Sequence, residues 1–216
     1  MAKVILHGPD YSTQVRTIRL CLVEKGVDYE LEPVDILRGA NRAPAFLKLQ
    51  PFGQVPVLVH DSFTLYETSA IARYVDEAFK GPKLQPSDKK DAARMNQLLS
   101  IIEMHGYGPI INEIVTLRVK EAFLHQKLDI ADLRKAAGPA QHCLTVVEGL
   151  MADGDFLVGK AVSLADLYLA PMISYFGKTP EGKVIMGRLP KLTAWWESFL
   201  KRPAMLETVP QTATAT

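Results

Sequence analysis

Cysteine is scarce in this chain: Cys21 and Cys143 are the only two in 216 residues. Two cysteines cannot build a disulfide scaffold, and they fit a reducing compartment, with a single bridge between them as the alternative. No Cys-x-x-Cys pair occurs, which excludes dithiol redox chemistry of the thioredoxin type. Charge of one sign is lacking too. The 25 Lys+Arg against 24 Asp+Glu leave a formal net charge of +1, so the long-range field of a nucleic-acid binder is absent. The longest apolar stretch, 167–173, is broken by Pro171 and falls far short of the ~20 residues a membrane span needs. The opening Met-Ala-Lys-Val-Ile-Leu-His meets Gly8 before any signal-length apolar run develops, so a cytoplasmic location is expected.

Several active-site signatures are missing. The five histidines, at 7, 60, 105, 125 and 142, form no His-Glu-x-x-His pattern and pair with no cysteines at ligand spacing, so no metal site is expected. No Gly-x-Ser-x-Gly elbow is present, which argues against an α/β-hydrolase nucleophile. Gly154 to Ala161 nearly spells a phosphate-binding loop, but Ala161 stands where Ser or Thr would bind magnesium. What remains is ordinary globular composition, with 48% apolar and 23% charged residues, at a length suited to one large domain or two small ones.

The chain changes character near Lys80. Before it, strand-like runs at 3–7, 28–35, 55–59 and 63–66 alternate with helical periodicity at 12–25, 43–49 and 67–79, giving the order β-α-β-α-β-β-α. This part carries 9 basic and 10 acidic residues. Gly81 to Asp88 has the Gly/Pro content of a linker, and Ser87 or Asp88 can cap the next helix. Beyond it the pattern is helical: 88–120 with a disturbance at 106–109, then 130–152, 163–176 and 190–201. The tail after Pro203 reads as mobile. Ser163-Leu-Ala-Asp166 has the form of a capping box, which makes Asp166 a structural residue.

Three segments suggest a ligand. Ser12 lies between the first strand and the first helix, at the carboxyl end of the strand, where a helix N-cap offers a hydroxyl and a positive dipole end. That spot suits a negative atom such as a thiolate, although a plain cap would use the same residue. Val55-Pro56 stands at a strand start, where a cis bond would explain the proline and leave the Val55 backbone to pair with an extended peptide. Glu67 and Thr68 reach another helix start, with Thr68 suited to a carboxylate and Glu67 to an ammonium. Together they describe the α-amino-acid end of a thiol-bearing peptide.

At these residues the chain resembles a cytosolic glutathione transferase. The likeness rests on Pro51-Phe-Gly-Gln-Val-Pro56, Glu67-Thr-Ser-Ala-Ile-Ala-Arg-Tyr74, Phe156-Leu-Val-Gly159 with Ser163-Leu-Ala-Asp166, and Pro190-Lys-Leu-Thr-Ala-Trp-Trp196. Arg19 to Tyr29 and the Phe-Gly-Gln-Val-Pro run are most similar to the phi class and its bacterial relatives. The resemblance implies an α/β plus all-α architecture: a thioredoxin-like domain over 1–80, a linker over 81–88 and an all-helical domain over 89–216. It implies glutathione as co-substrate, with Ser12 as the activating residue and Tyr11 as the competing candidate. Asn41, Arg42, Gln54, Val55, Pro56, Glu67 and Thr68 would hold glutathione, with Asn41-Arg42 replacing the His-Lys usual in phi members.

A hydrophobic electrophile pocket between the domains would use Tyr11, Met104, Tyr107, Ile111, Tyr168, Met172 and Phe176, residues that ordinary helix packing would also explain. A homodimer is implied, with Phe52 docking into the partner subunit. The expected reaction is conjugation in detoxification, with hydroperoxide reduction alongside. A non-catalytic carrier, or a specialised dehalogenase or isomerase, is the alternative.

Overall fold

The strand Val4–His7 (β1) is short because Gly8 and Pro9 follow it, and Val4 and Leu6 turn their side chains inward. In the computed structural model, which describes residues 3–125 and 127–211, β1 lies at the centre of a four-stranded sheet of order β2-β1-β3-β4. Glu30–Glu32 (β2) runs parallel to it, and Val57–His60 (β3) and Phe63–Tyr66 (β4) complete the sheet antiparallel. With helices Thr13–Glu24 (α1), Pro44–Leu47 (α2) and Thr68–Ala78 (α3), this is the thioredoxin-like arrangement. β2 is shorter than the alternation over 28–35 predicts, because Pro33 can give no ladder bond. β3 likewise begins at Val57, after the cis Val55–Pro56 bond.

α1 forms because Ser12 caps it and Val15, Ile18, Cys21 and Leu22 recur on one face, all without exposed surface. Each such aliphatic burial contributes roughly 1.5–3 kcal/mol. Gly26, at φ +67°, stops the helix: its N–H donates to Val23 O and that of Val27 to Leu22 O, a Schellman closure. α1 and α3 pack together, burying Ile71 and Val75.

The expected linker is bound rather than loose along its first half. Buried Lys25 donates from Nζ to Asp76 O, Asp76 Oδ1 and Pro82 O at 3.0, 3.1 and 3.0 Å. Asp76 in turn accepts from Leu84 N–H and from the backbone and side chain of Gln85. Compact units divide after Gln85, inside the expected 81–88 linker, and residues 201–211 belong with the first unit rather than with the helical one.

Burial alone would push the Asp76 carboxyl up, but the bonds from Leu84, Lys25 and Gln85 outweigh it and hold its pKa below the ordinary value. The folded chain then releases that proton at a lower pH than the unfolded chain. The resulting stability is complete above the unfolded value of ~3.9 and is lost as pH falls through the folded one. Asp76→Asn is expected to lower stability at pH 7 and to flatten the acid limb of the stability curve, read by denaturant midpoints from pH 7 to pH 2.

The second unit, Pro86–Leu200, is helical. Lys89–Ile101 (α4) starts at Asp88, whose Oδ1 accepts from Lys90 and Asp91 amides. The disturbance expected at 106–109 is a pair of wide π-helical stretches, Ile102–Gly106 and Gly108–Val115, before Thr116–Leu124 (α5). Pro109 supplies no N–H, and a side chain at Gly106 would press within 3.1 Å of Cys143 Sγ. Ile130–Leu150 (α6), Leu164–Phe176 (α7), Pro180–Met186 (α8) and Pro190–Phe199 (α9) follow, and Pro203–Glu207 (α10) lies in the first unit. α8 and α10 are absent from the sequence reading, and each opens on a proline at its first position, the signal that marks them.

α10 also corrects the mobile tail: residues 203–211 are ordered against α1, while 212–216 lie outside the described residues. At the start of α7, Asp166 completes the expected capping box and accepts also from Leu157 N–H and Trp195 Nε1, with no exposed surface.

Candidate active site

Strand register brings the site together. His7, at the end of β1, faces Val57, at the start of β3, and Val57 faces Tyr66, at the end of β4. The segments leaving the sheet at that edge are therefore Gly8–Ser12, Gln54–Pro56 and Glu67–Thr68. Three stretches distant from one another in the chain are brought to one end of the sheet by strand pairing.

Close approach is possible because of two glycines. A Cβ on Gly8 would lie 2.4 Å from Val15 Cγ2 and 3.3 Å from Val55 Cβ, so the first loop, α1 and the Val55 segment meet there. Gly53, at φ +63°, would bring a Cβ within 2.8 Å of Asn41 O and 2.9 Å of Arg42 Nη1. The sequence singles out neither Gly8 nor Gly53 as a point of close approach. The Gly-Pro and Phe-Gly pairs that mark them give no sign of what packs against them.

Ser12 is half-buried at the α1 N-cap, and its Oγ accepts from Val15 N–H over 3.4 Å. Its O–H proton has no acceptor among the described residues and remains able to donate. Tyr11 points elsewhere, into a cavity of about 530 Å³ shared with Pro9, Arg19, Val34, Asp35 and Gln211. Burial pushes its phenol pKa up, and the nearby Asp35 and Asp10 carboxylates add to the rise, so Tyr11 is a neutral hydroxyl at physiological pH.

Val55 precedes the sheet with no partner for its backbone N–H or C=O among the described residues. Pro56 behind it is buried. Gln54 presents an exposed side chain, its backbone N–H held by Gln50 Oε1 at 3.0 Å. Asn41 and Arg42 lie in a short 3₁₀ turn, Ala40–Arg42, clasped to the same loop: Asn41 Nδ2 donates to Gly53 O at 2.7 Å and Arg42 Nη1 to Phe52 O at 2.9 Å. Asn41 Oδ1 is buried without a partner among the described residues. An unmet buried acceptor costs about 1–3 kcal/mol, which a ligand N–H would offset.

Glu67 is exposed, with φ 71° and ψ 114° at the α3 N-cap. A non-glycine residue held there costs of order 1–3 kcal/mol, a conformation that clusters at binding sites. Thr68, 8% exposed, is the first residue of α3.

The expected electrophile residues of the second unit do not behave alike. Met104 is 77% exposed and Tyr107 half-buried, both around the π-helical stretches. Ile111, Tyr168, Met172 and Phe176 are 9, 2, 2 and 0% exposed and pack as core, with Tyr168 donating its hydroxyl to Glu103 Oε1. A wall for a bound molecule needs accessible surface, so the expectation narrows to Met104 and Tyr107. The two thiols are inert: burial pushes Cys143 up to about 11 and Cys21 higher still. Among the described residues, no group of histidines, cysteines and carboxylates could hold a metal, and no helix is long and apolar enough to cross a membrane.

A four-stranded thioredoxin-like unit, with the Val55 backbone open at one end of its strands, precedes an all-helical unit in the same chain, the arrangement of a class of two-unit proteins. The comparisons with known proteins are specific. Residues 11–78 match the glutathione S-transferase N-terminal domain and 119–203 the glutathione S-transferase C-terminal domain. Glutathione S-transferase F9 of Arabidopsis thaliana is 34% identical over 212 residues, covering 94% of this chain and 95% of that one. The crystal structure of glutathione transferase F7 from Populus trichocarpa is 32% identical with a TM-score of 0.84, over 95% of this chain and 97% of that one. Glutathione S-transferase-I bound with lactoylglutathione is 26% identical, with a TM-score of 0.84 over 96% and 98% of the two chains. The chain belongs to the glutathione S-transferase family, and its similarity is to plant members of the phi type.

Proposed function

We propose that this chain binds glutathione along the sheet edge described above and catalyses attack of its sulfur on hydrophobic electrophiles. The observation that supports the reading is the register His7–Val57–Tyr66, because the segments carrying Ser12, the unpartnered Val55 backbone and the strained Glu67 all leave the sheet at that end. Val55 would pair with the peptide backbone, with Pro56 supporting it from behind. Glu67 and Thr68 would hold the ammonium and carboxylate of the γ-glutamyl end. Asn41, Arg42 and Gln54 would meet the glycyl end, where Asn41 Oδ1 awaits a donor and Arg42 offers an exposed cation.

Glutathione supplies the nucleophilic sulfur. A free thiol of pKa ~8.5 is only a few per cent ionised at pH 7. Lowering it by about two units takes about 2.7 kcal/mol, within reach of one Ser12 O–H donated to sulfur plus the α1 dipole. The proton leaves to solvent, sulfur bonds to the electrophilic carbon, and the leaving group departs with the bonding pair. Of the residues expected to meet the electrophile, Tyr11 in the first unit and Met104 and Tyr107 in the second keep accessible surface. Cys21 and Cys143, buried and with no disulfide between them, suit a reducing compartment such as the cytoplasm. Phe52, 61% exposed with its ring edge-on to Tyr66, is the proposed anchor of a homodimer.

The test is glutathione binding by calorimetry together with conjugation to a chlorodinitrobenzene-type electrophile. Saturable binding with turnover is expected. Binding without turnover would favour a carrier, and no binding would remove the reading.

A further inference from the structure

The segment from Lys201 onward is tied to α1 by arginines. Arg16 donates to Met205 O at 2.9 Å and to Thr208 Oγ1 at 3.3 Å, and Arg19 donates to Thr208 O at 3.1 Å. Arg202 grips Glu24 in a two-bonded pair at 3.0 and 2.9 Å. Arg16, Arg19 and Thr208 are nearly fully buried, so the carbonyls at the end of α10 are met by fixed cations. The tail beyond Thr208 therefore runs from a rigid anchor. At Gln211 it meets the loop before Ser12: the Gln211 backbone N–H donates to Asp10 Oδ2 at 2.7 Å, two residues before Ser12. Pro9 O in the same loop accepts from Ser12 N–H at 3.2 Å, closing a turn that contains Asp10. Asp10, Tyr11 and Gln211 also border one cavity.

We propose that Asp10 is a positioning residue for Ser12, held in place by the Gln211 N–H, so that the C-terminal segment sets the geometry of thiol activation. The proposal rests on the transferase reading above. A backbone donor is removed by proline and retained by alanine, which makes the pair Gln211→Pro and Gln211→Ala a direct probe of this bond.

With Asp10 in place, the Pro chain is expected to show kcat/KM for glutathione conjugation about three- to tenfold below the Ala chain, the scale of one hydrogen bond. The apparent pKa in its pH profile should move upward, and the Ser12 amide should exchange faster. In an Asp10→Ala background the difference between Pro and Ala should vanish, as coupling through a single contact requires.

Equal turnover and pH profile in the two chains would overturn the positioning role, as would a difference that persists without Asp10. If the native chain itself does not conjugate glutathione, the transferase reading fails first and the role falls with it. An active native chain with no gap between Pro and Ala defeats the role alone. Arg16, Arg19 and their acceptors are untouched in every chain, so folding is guarded by contacts that remain.

Discussion

Replacing Ser12 by alanine is expected to lower kcat/KM for glutathione conjugation by about 10- to 100-fold at neutral pH, the worth of a hydrogen bond to a charged acceptor at roughly 1.5–3 kcal/mol. The deficit should shrink as pH rises toward and beyond ~8.5, because the thiol then ionises without help. That pH signature separates loss of activation from loss of binding, which would lower the rate at every pH. Tyr11→Phe should cost much less, since its neutral phenol lies in the cavity with Asp35 and Gln211 while Ser12 occupies the helix start. Removing Ser12 also removes the cap to Val15, so part of the change, about 0.5–2 kcal/mol, should appear as lost stability.

The largest effect on stability is expected at Asp166. Alanine there would strand the Leu157 and Ser163 amides, the Ser163 hydroxyl and the Trp195 indole N–H, all bonded to one fully buried carboxylate. Burial raises that carboxyl's pKa, and the four donors oppose the rise. Each stranded donor costs about 1–3 kcal/mol, so a total loss of at least about 3–5 kcal/mol is expected, a large share of the stability of an ordinary domain. Denaturant unfolding reads this directly. Ser163→Ala, which removes one of the four donors, should lose about 1 kcal/mol and provides the graded control where the alanine chain does not fold.

Local chemistry made much of the fold legible. The Ser12 cap, the Gly26 stop and the apolar spacing of α1 are all visible in the sequence, and so is the capping box at Ser163–Asp166, because each signal lies within a few residues. The break in character near Lys80 is visible as well, but what holds the first half of the 81–88 segment to the first unit is the buried Lys25–Asp76 pair, whose partners are 51 residues apart. The order of the tail escapes the sequence for the same reason. What orders Pro203–Gln211 is Arg16 and Arg19, buried arginines on a helix whose sequence presents them as ordinary exposed charges.

The site divides in a similar way. Ser12, Val55 and Glu67 each sit beside a local signal: a cap, a proline at a strand start, a helix start. Their adjacency follows from strand register, which sequence periodicity does not fix. Glu67's positive φ and Gly53's contact with Asn41 leave no sequence mark at all. The apolar spacing of Tyr168, Met172 and Phe176 suits a pocket wall and a helix core equally, and burial decides for the core.

The central claim is that Ser12 and the α1 start stabilise a bound thiolate. The measurement closest to it is the ultraviolet absorbance of thiolate in the binary complex with glutathione, titrated over pH in the native and Ser12→Ala chains. A native bound thiol with an apparent pKa about two units below the free value of ~8.5, returning most of the way in Ser12→Ala, is the predicted result. A bound thiol that titrates at the free value in the native chain, or that keeps its lowered value without Ser12, would contradict it.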